Sequence, residues 1–239
     1  MTSKLATRKK ESYKIFDEIA RSYDFLNHFL SFGIDIYWRQ KFLGALPNLD
    51  KINALDLATG TGDVALILVK DKRVEKVTGI DRSKGMVDIG RKKVEDKNLT
   101  NKITLELGDG VEIPFADETF DLVTISFGIR NFSDHKRSIQ NIHRVLKPRG
   151  KVAIMEFSLP KNKLMRALYL FYFRNILPRI GNLLSGHGDA YTYLNKTVED
   201  FPYGQEFSDL LSEAGFKNVS HKAYTFGVAT LYQGEKLKC

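Results

Sequence analysis

The sequence predicts an α/β fold: a seven-stranded, mostly parallel sheet with helices on both faces, preceded by N-terminal helices and interrupted by a helical insertion. Three observations predict it. From Ile52 onward, short apolar runs alternate with amphipathic stretches, the pattern of strands joined by crossover helices. The first run ends in a glycine-rich turn that opens straight into a helical pattern. A chain of 239 residues is also long enough to bury one good core.

The elements follow in order. Glu11–Leu30 sets Ile15, Ile19, Tyr23 and Leu26 on one side, a helical stripe, and Phe32–Leu46 forms a second apolar patch around the single tryptophan, Trp38. These pieces (residues 1–50) are expected to cap one end of a main domain at 51–239. Strands are expected near Ile52–Ala58, Val77–Asp81, Ile103–Gly108, Leu122–Phe127 and Val152–Phe157, with helices at Asp63–Lys70, Lys84–Asp96 and Lys136–Leu146. Pro148 and Gly150 stop the last of these helices. After Pro160 the rhythm breaks. Residues 159–202 form the insertion, helical at first and irregular around Ser185–Gly188, where a lid or substrate-binding element belongs. A helix near Tyr203–Ala214 and two closing strands, Lys217–Tyr224 and Val228–Tyr232, restore the pattern.

Composition narrows the setting. No apolar run reaches the roughly 18 residues that span a bilayer, and the first residues lack the apolar stretch of a secretory signal. The one cysteine, Cys239, allows neither a disulfide framework nor a CxxC metal site. A reducing, cytoplasmic location and no bound metal are expected. The net charge of +8, from 37 Lys+Arg against 29 Asp+Glu, favours an anionic partner, either nucleic acid or an anionic membrane surface.

The turn LDLATGTGDVA, Leu55–Ala65, carries Gly60 and Gly62, which let the backbone approach a ligand without a Cβ in the way. Its GxGxxA spacing also suits a dinucleotide, so charge decides. A pyrophosphate at this helix start would meet Asp56 and Asp63, which is unfavourable at close range. S-adenosylmethionine brings an ammonium and a sulfonium instead, and acidic surroundings suit both. Asp81, about 20 residues past the glycines, is placed to accept ribose hydroxyls, although it could also cap the next helix if Ser83 did not. Asp109, just before Gly110, could accept the adenine amino group or simply form an Asp-Gly turn. The fourth strand ends in Ser126, Gly128, Arg130 and Asn131, at the edge facing the donated methyl group. There Arg130 could bind an oxyanion through its planar fork, with Asn131 beside it.

With these residues in place, the sequence resembles the menaquinone/ubiquinone-biosynthesis C-methyltransferases, over nearly its whole length. The resemblance runs through Phe16–Arg39, Leu55–Ala65, Phe120–Asp134, His143–Pro160 and Tyr191–Pro202; SFGIRN, EFSLP and the Tyr191–Pro202 stretch are its most specific parts. ATGTGD replaces the commoner AGGTGD, and KPRG replaces KPGG. The resemblance implies a class I S-adenosylmethionine-dependent, Rossmann-like fold. It maps the donor site onto Thr61, Asp81, Asp109, Gly110 and Ser126, alongside Asp56, Gly60 and Gly62 from the reading above. It also implies C-methylation of a polyprenylated quinol, demethylmenaquinol to menaquinol first and the ubiquinone-pathway benzoquinol second. Arg130 and Asn131 become the candidates for stabilising a developing phenolate, and His187, Tyr191 and Tyr193 for gripping the ring or taking its proton.

Such an acceptor resides in a membrane. Leu164, Leu168, Phe171, Tyr172, Leu177 and Leu183 interleave with Lys161, Lys163, Arg166, Arg174 and Arg179, a mixture suited to transient contact with an anionic lipid surface and equally to a lid packed on the domain. No nucleic-acid partner is expected, since SFGIRN stands where amino-methylating nucleic-acid enzymes carry a [DNS]PP[YF] string. A methyltransferase for another small molecule or for RNA is the alternative. A non-catalytic donor-binding module is disfavoured by the intact set Asp56, Gly60, Gly62, Asp81 and Asp109, and a nicotinamide oxidoreductase by Asp63. A homo-oligomer stays open.

Overall fold

The computed structural model describes residues 11–179, 195 and 197–238. Two helices lead in: α1 at Ser12–Leu30 and α2 at Ile34–Gln40, the second followed by a 3-10 turn at Lys41–Ala45. The sheet strands are β1 Ile52–Leu57, β2 Val74–Asp81, β3 Ile103–Leu107, β4 Phe120–Ser126, β5 Leu146–Phe157, β6 Lys217–Tyr224 and β7 Ala229–Glu235. Between them lie α3 Asp63–Leu68, α4 Lys84–Asp96, α5 His135–Val145, α6 Lys163–Phe171 and α7 Gln205–Glu213. The seven strands are ordered β3-β2-β1-β4-β5-β7-β6. Only β7 runs antiparallel to its neighbours. Strand order reverses between β1 and β4, so their carboxyl ends flank the crevice where ligands bind in open α/β sheets.

Period-2 alternation sends each strand's side chains to two layers of core. Ala54, Leu122, Ala153 and Met155 face one layer, and Leu55, Leu57, Val123, Ile125, Val152 and Ile154 the other. Trp38, Phe42, Ala45 and Leu46 lie inside the first layer. The described part of the N-terminal segment therefore shares the domain's core.

Several boundaries differ from the sequence reading. β5 begins at Leu146 instead of Val152, because the chain passes directly from α5 into the strand and its register with β4 shifts across the first residues. β2 starts at Val74, three residues early. Ser83 caps α4 by accepting from the Met86 amide at 3.2 Å, and Asp134 caps α5 by accepting from the Arg137 amide at 2.9 Å. The insertion opens with α6, which continues through a π-turn at Tyr172–Ile176. Its inner side chains, Phe173 and Leu177, pack with Leu159 and Val198 in a third cluster touched by Ile15 and Leu30 of α1. The Tyr172 hydroxyl donates to the Leu30 carbonyl at 2.8 Å.

Candidate active site

Two cavities meet beyond the carboxyl ends of β1 and β4. The smaller, about 80 Å³, is bordered by Gly60, Asp81, Asp109, Gly110, Ser126 and Asn131. The larger, about 370 Å³, is mostly apolar and lies under α1, α2 and α6. Phe16 and Tyr23 of α1 and Phe127 after β4 line both.

The turn after β1 explains why glycine recurs there. Gly60 and Gly62 adopt φ of 56° and 81°, and Ala58 adopts 51° at the cost of a Cβ in the left-handed region. Thr59, the unusual residue in this turn, donates its hydroxyl to Asp56 at 2.6 Å, and Thr124 of β4 donates to the other Asp56 oxygen at 2.5 Å. Asp56 is thus buried beneath the turn, tying β1 to β4, and borders neither cavity. Burial pushes its carboxyl up to about 6, against the pull of the two hydroxyls.

A raised folded-state pKa adds stability below the ordinary carboxylate range, and that stability is lost as pH rises through about 6. Asp56→Asn should therefore flatten the fall in stability between pH 5 and pH 7.5. The expected difference is on the order of 1–3 kcal/mol, read by urea unfolding at the two pH values. Parallel pH profiles in parent and variant would refute this account of Asp56.

Asp81 ends β2 inside the smaller cavity. It accepts from the Gly60 amide at 2.9 Å through one oxygen and from the Ser83 amide at 2.9 Å through the other. Since a carboxylate offers about four lone-pair sites, capacity remains for a ligand's hydroxyls. Burial raises its pKa, while the Ser83, Gly60 and Arg82 amides act the other way. Asp109 does form the Asp-Gly turn, accepting from the Val111 amide at 2.8 Å, and still borders the cavity. At Gly110 a Cβ would overlap the Phe132 ring, so no other residue fits without a shift. Ser126 Oγ and Asn131 Oδ1 are buried and have no hydrogen-bond partner among the described residues. Buried polar atoms are normally paired, and these two border the cavity floor, as a polar ligand requires.

Thr61 and Asp63 face elsewhere. The Thr61 hydroxyl donates to Asp24 of α1 at 2.7 Å, and the Lys93 ammonium joins Thr61, Asp63 and Asp24 at 3.0, 2.8 and 2.5 Å. Asp17, two helical turns before Asp24, accepts from the Ser83 hydroxyl at 2.6 Å and the Gly85 amide at 2.8 Å. These two carboxylates clamp α1 over α4. Gly62 shapes the turn but borders neither cavity. Asp56 is thus buried under the turn and Asp63 paired with Lys93, while Asp81 and Asp109 are the acids that border the smaller cavity, beside a single cation, Arg82.

Arg130 borders the larger cavity and is 4% exposed. Its Nη1 donates to Glu156 Oε1 at 2.7 Å and to the Phe127 carbonyl, and its guanidinium lies 5.3 Å from the Phe157 ring centroid. Glu156 is fully buried and also accepts from the Arg130 and Phe157 amides. Arg130 is thus a paired, fixed donor instead of the free cation that its loop position suggested. Its Nε is buried with no partner among the described residues. A second polar pole lies across the cavity, where Asp35 is bonded to His28 Nδ1 at 2.7 Å, to the Ser31 hydroxyl at 2.8 Å, and to Arg39.

Of the residues read from sequence, Gly60, Asp81, Asp109, Gly110, Ser126 and Asn131 come together around the smaller cavity, and Arg130 borders the larger. His187, Tyr191 and Tyr193 lie outside the described residues. Glu156 and Tyr169 have no role in the sequence reading, and Tyr23 counts there only toward the apolar stripe of α1. A lone carboxylate in the apolar run VAIMEF was the available sign for Glu156, because a buried acid needs a partner.

Solved structures that share this fold are S-adenosylmethionine-dependent methyltransferases. A SAM-dependent methyltransferase of Thermotoga maritima superposes with a TM-score of 0.68 at 18% identity, covering 94% of this chain and 99% of that one. Haemonchus contortus phosphoethanolamine N-methyltransferase 2, in complex with S-adenosyl-L-methionine, superposes at 0.63 and 16% identity, covering 84% of this chain and 53% of that one. The acid-lined pocket at the β1/β4 switch suits S-adenosylmethionine, and the family match fixes the class as a methyltransferase that uses it. The chain belongs to the ubiE/COQ5 methyltransferase family, matched over residues 4–236. It is 44% identical to the Geobacter sulfurreducens ubiquinone/menaquinone biosynthesis C-methyltransferase UbiE, over 96% of this chain and 90% of that protein. It is 38% identical to the Bacteroides fragilis demethylmenaquinone methyltransferase, over 96% and 94%.

Proposed function

We propose that the protein methylates a ring carbon of a polyprenylated quinol, demethylmenaquinol in the first instance. The observation that carries this reading is the large apolar cavity that abuts the donor pocket at Phe127 and holds Arg130 in its wall. Its volume and lining suit a fused ring with the start of an isoprenoid tail. The names of the family's curated members support the same acceptor class.

S-adenosylmethionine, when bound, supplies an electrophilic methyl on a sulfonium. Asp81, Asp109, Ser126 and Asn131 would hold it, the first two matching its cationic and hydroxyl-bearing character. Phe16, Tyr23 and Phe127 exclude water where the two cavities meet, which strengthens every polar contact there. Arg130 Nε, fixed by Glu156, stabilises the phenolate that makes the neighbouring ring carbon nucleophilic. The ring carbon gains the methyl and loses its hydrogen as a proton, so one proton is released per turnover. Much of the rate then comes from alignment.

The acceptor's tail calls for a protein that works at the cytoplasmic face of a membrane. No helix among the described residues is long and apolar enough to cross one. Instead, Phe32 and Phe226, 82% and 75% exposed, stand at the border of the larger cavity. Leu164, Leu168 and Phe171 of α6 and the stacked pair Phe25–Phe29 of α1 add to the exposed apolar surface on the helices that wall it. Exposed Lys161, Lys163 and Arg166 accompany them. Apolar side chains among cations suit anionic lipid.

One assay tests both parts: methyl transfer to demethylmenaquinol presented in anionic or neutral vesicles. The parent should transfer methyl in either and work several-fold faster on anionic vesicles, and a Leu164→Ser/Leu168→Ser/Phe171→Ser variant should lose that gain. Absence of transfer to any demethylmenaquinol preparation would overturn the acceptor, and equal rates on both vesicles the membrane contact.

A further inference from the structure

We infer that the Tyr169 hydroxyl is a substrate-gripping group, which together with Arg130 Nε holds one ring oxygen of the acceptor; the inference rests on the quinol reading above. Tyr169 sits on α6, and its side chain lines the larger cavity with Arg130, Tyr172 and Phe173. Its ring stacks on Phe173 with centroids 5.1 Å apart and an interplanar angle of 22°, which fixes the direction of the hydroxyl.

That hydroxyl is buried and has no hydrogen-bond partner among the described residues. The neighbouring Tyr172 hydroxyl, by contrast, is satisfied by Leu30. A buried, unpaired phenol is costly, so a partner arriving with the ligand recovers that cost. Burial pushes its pKa well above the ordinary phenol value, with Arg130 acting against the shift and Glu156 reinforcing it. It therefore stays a neutral donor throughout the physiological range and lies within the field of the Arg130–Glu156 pair.

The chemistry of the acceptor fits two donors held in one cavity wall. A phenolate oxygen accepts more than one hydrogen bond, and donors aimed at developing charge in a dry site are worth far more than in water. Arg130 Nε and Tyr169 Oη are the two unpaired buried donors of this cavity among the described residues. Tyr169 donates and does not need to take a proton, so no acid–base step is assigned to it.

Tyr169→Phe removes one oxygen atom and leaves the ring. It should lower kcat/KM for demethylmenaquinol about ten- to a hundredfold, the loss of a hydrogen bond to a charged oxygen. Affinity for S-adenosylhomocysteine should stay unchanged, and the melting temperature should hold or rise because an unpaired buried hydroxyl has gone. A quinol analogue methylated on the gripped oxygen should bind the parent more weakly than the free quinol. Tyr169→Phe should show a smaller difference, with quenching of Trp38, which lines the same cavity, as the signal. An unchanged kcat/KM with demethylmenaquinol, or a lowered melting temperature, would overturn the role of Tyr169 while leaving the quinol reading intact. A parent enzyme inactive on demethylmenaquinol would overturn both.

Discussion

Glu156→Leu is expected to destabilise the fold by about 3–5 kcal/mol, because it strands the buried Arg130 guanidinium without its partner. Glu156 is fully buried and accepts from three donors: the Arg130 guanidinium, the Arg130 amide and the Phe157 amide. The double variant Arg130→Met/Glu156→Leu removes both charges, and replacing such a pair by apolar side chains of similar volume is often neutral. Its unfolding midpoint in urea should recover most of the loss. Methyl transfer should remain absent, since the guanidinium proposed to stabilise the phenolate is gone. A single variant as stable as the parent would mean that water reaches Arg130, and an active double variant would remove Arg130 from the chemistry.

Asp81→Asn should weaken S-adenosylhomocysteine binding by about a hundredfold or more, on the loss of charge-assisted bonds worth about 1.5–3 kcal/mol each. The two Asp81 oxygens already hold the Gly60 and Ser83 amides. Asparagine keeps one acceptor and must turn its amide group against an N–H, so the turn after β1 loosens as well. Calorimetric titration measures the loss. Trp38 quenching by the quinol should change far less, because Asp81 does not border the acceptor cavity. Retention of parental affinity would transfer the donor contact from Asp81 to other groups.

Most of the frame was legible in the sequence because its signals are local. Gly60 and Gly62 mark a turn whose φ values few other residues adopt, and the short apolar runs of the central strands follow from side chains that face two buried layers. Asp81 and Asp109 were found by their position at strand ends, where topology alone brings them together. What stayed hidden depends on side chains distant in sequence. Asp63 looks like a free acid until Lys93, thirty residues on, neutralises it. Arg130 reads as an exposed loop cation until Glu156, 26 residues on, pairs with it. Thr59 looks like a departure from the turn's pattern until its hydroxyl is seen on Asp56. Tyr169 lies in a segment whose sequence shows apolar and basic residues interleaved but not an unsatisfied hydroxyl.

Helix α1 is a party wall. Phe16 and Tyr23 are exposed to both chambers at once, and Asp17 and Asp24 fasten the same helix to the donor-side helix α4. Any displacement of the wall by one guest changes the room of the other. Thermodynamic linkage then fixes the size of the effect in both directions: the factor by which donor tightens or loosens acceptor is the factor by which acceptor tightens or loosens donor. Substitutions at Asp17 or Asp24 that loosen α1 should therefore change the affinity for either ligand and, with it, the coupling between the two.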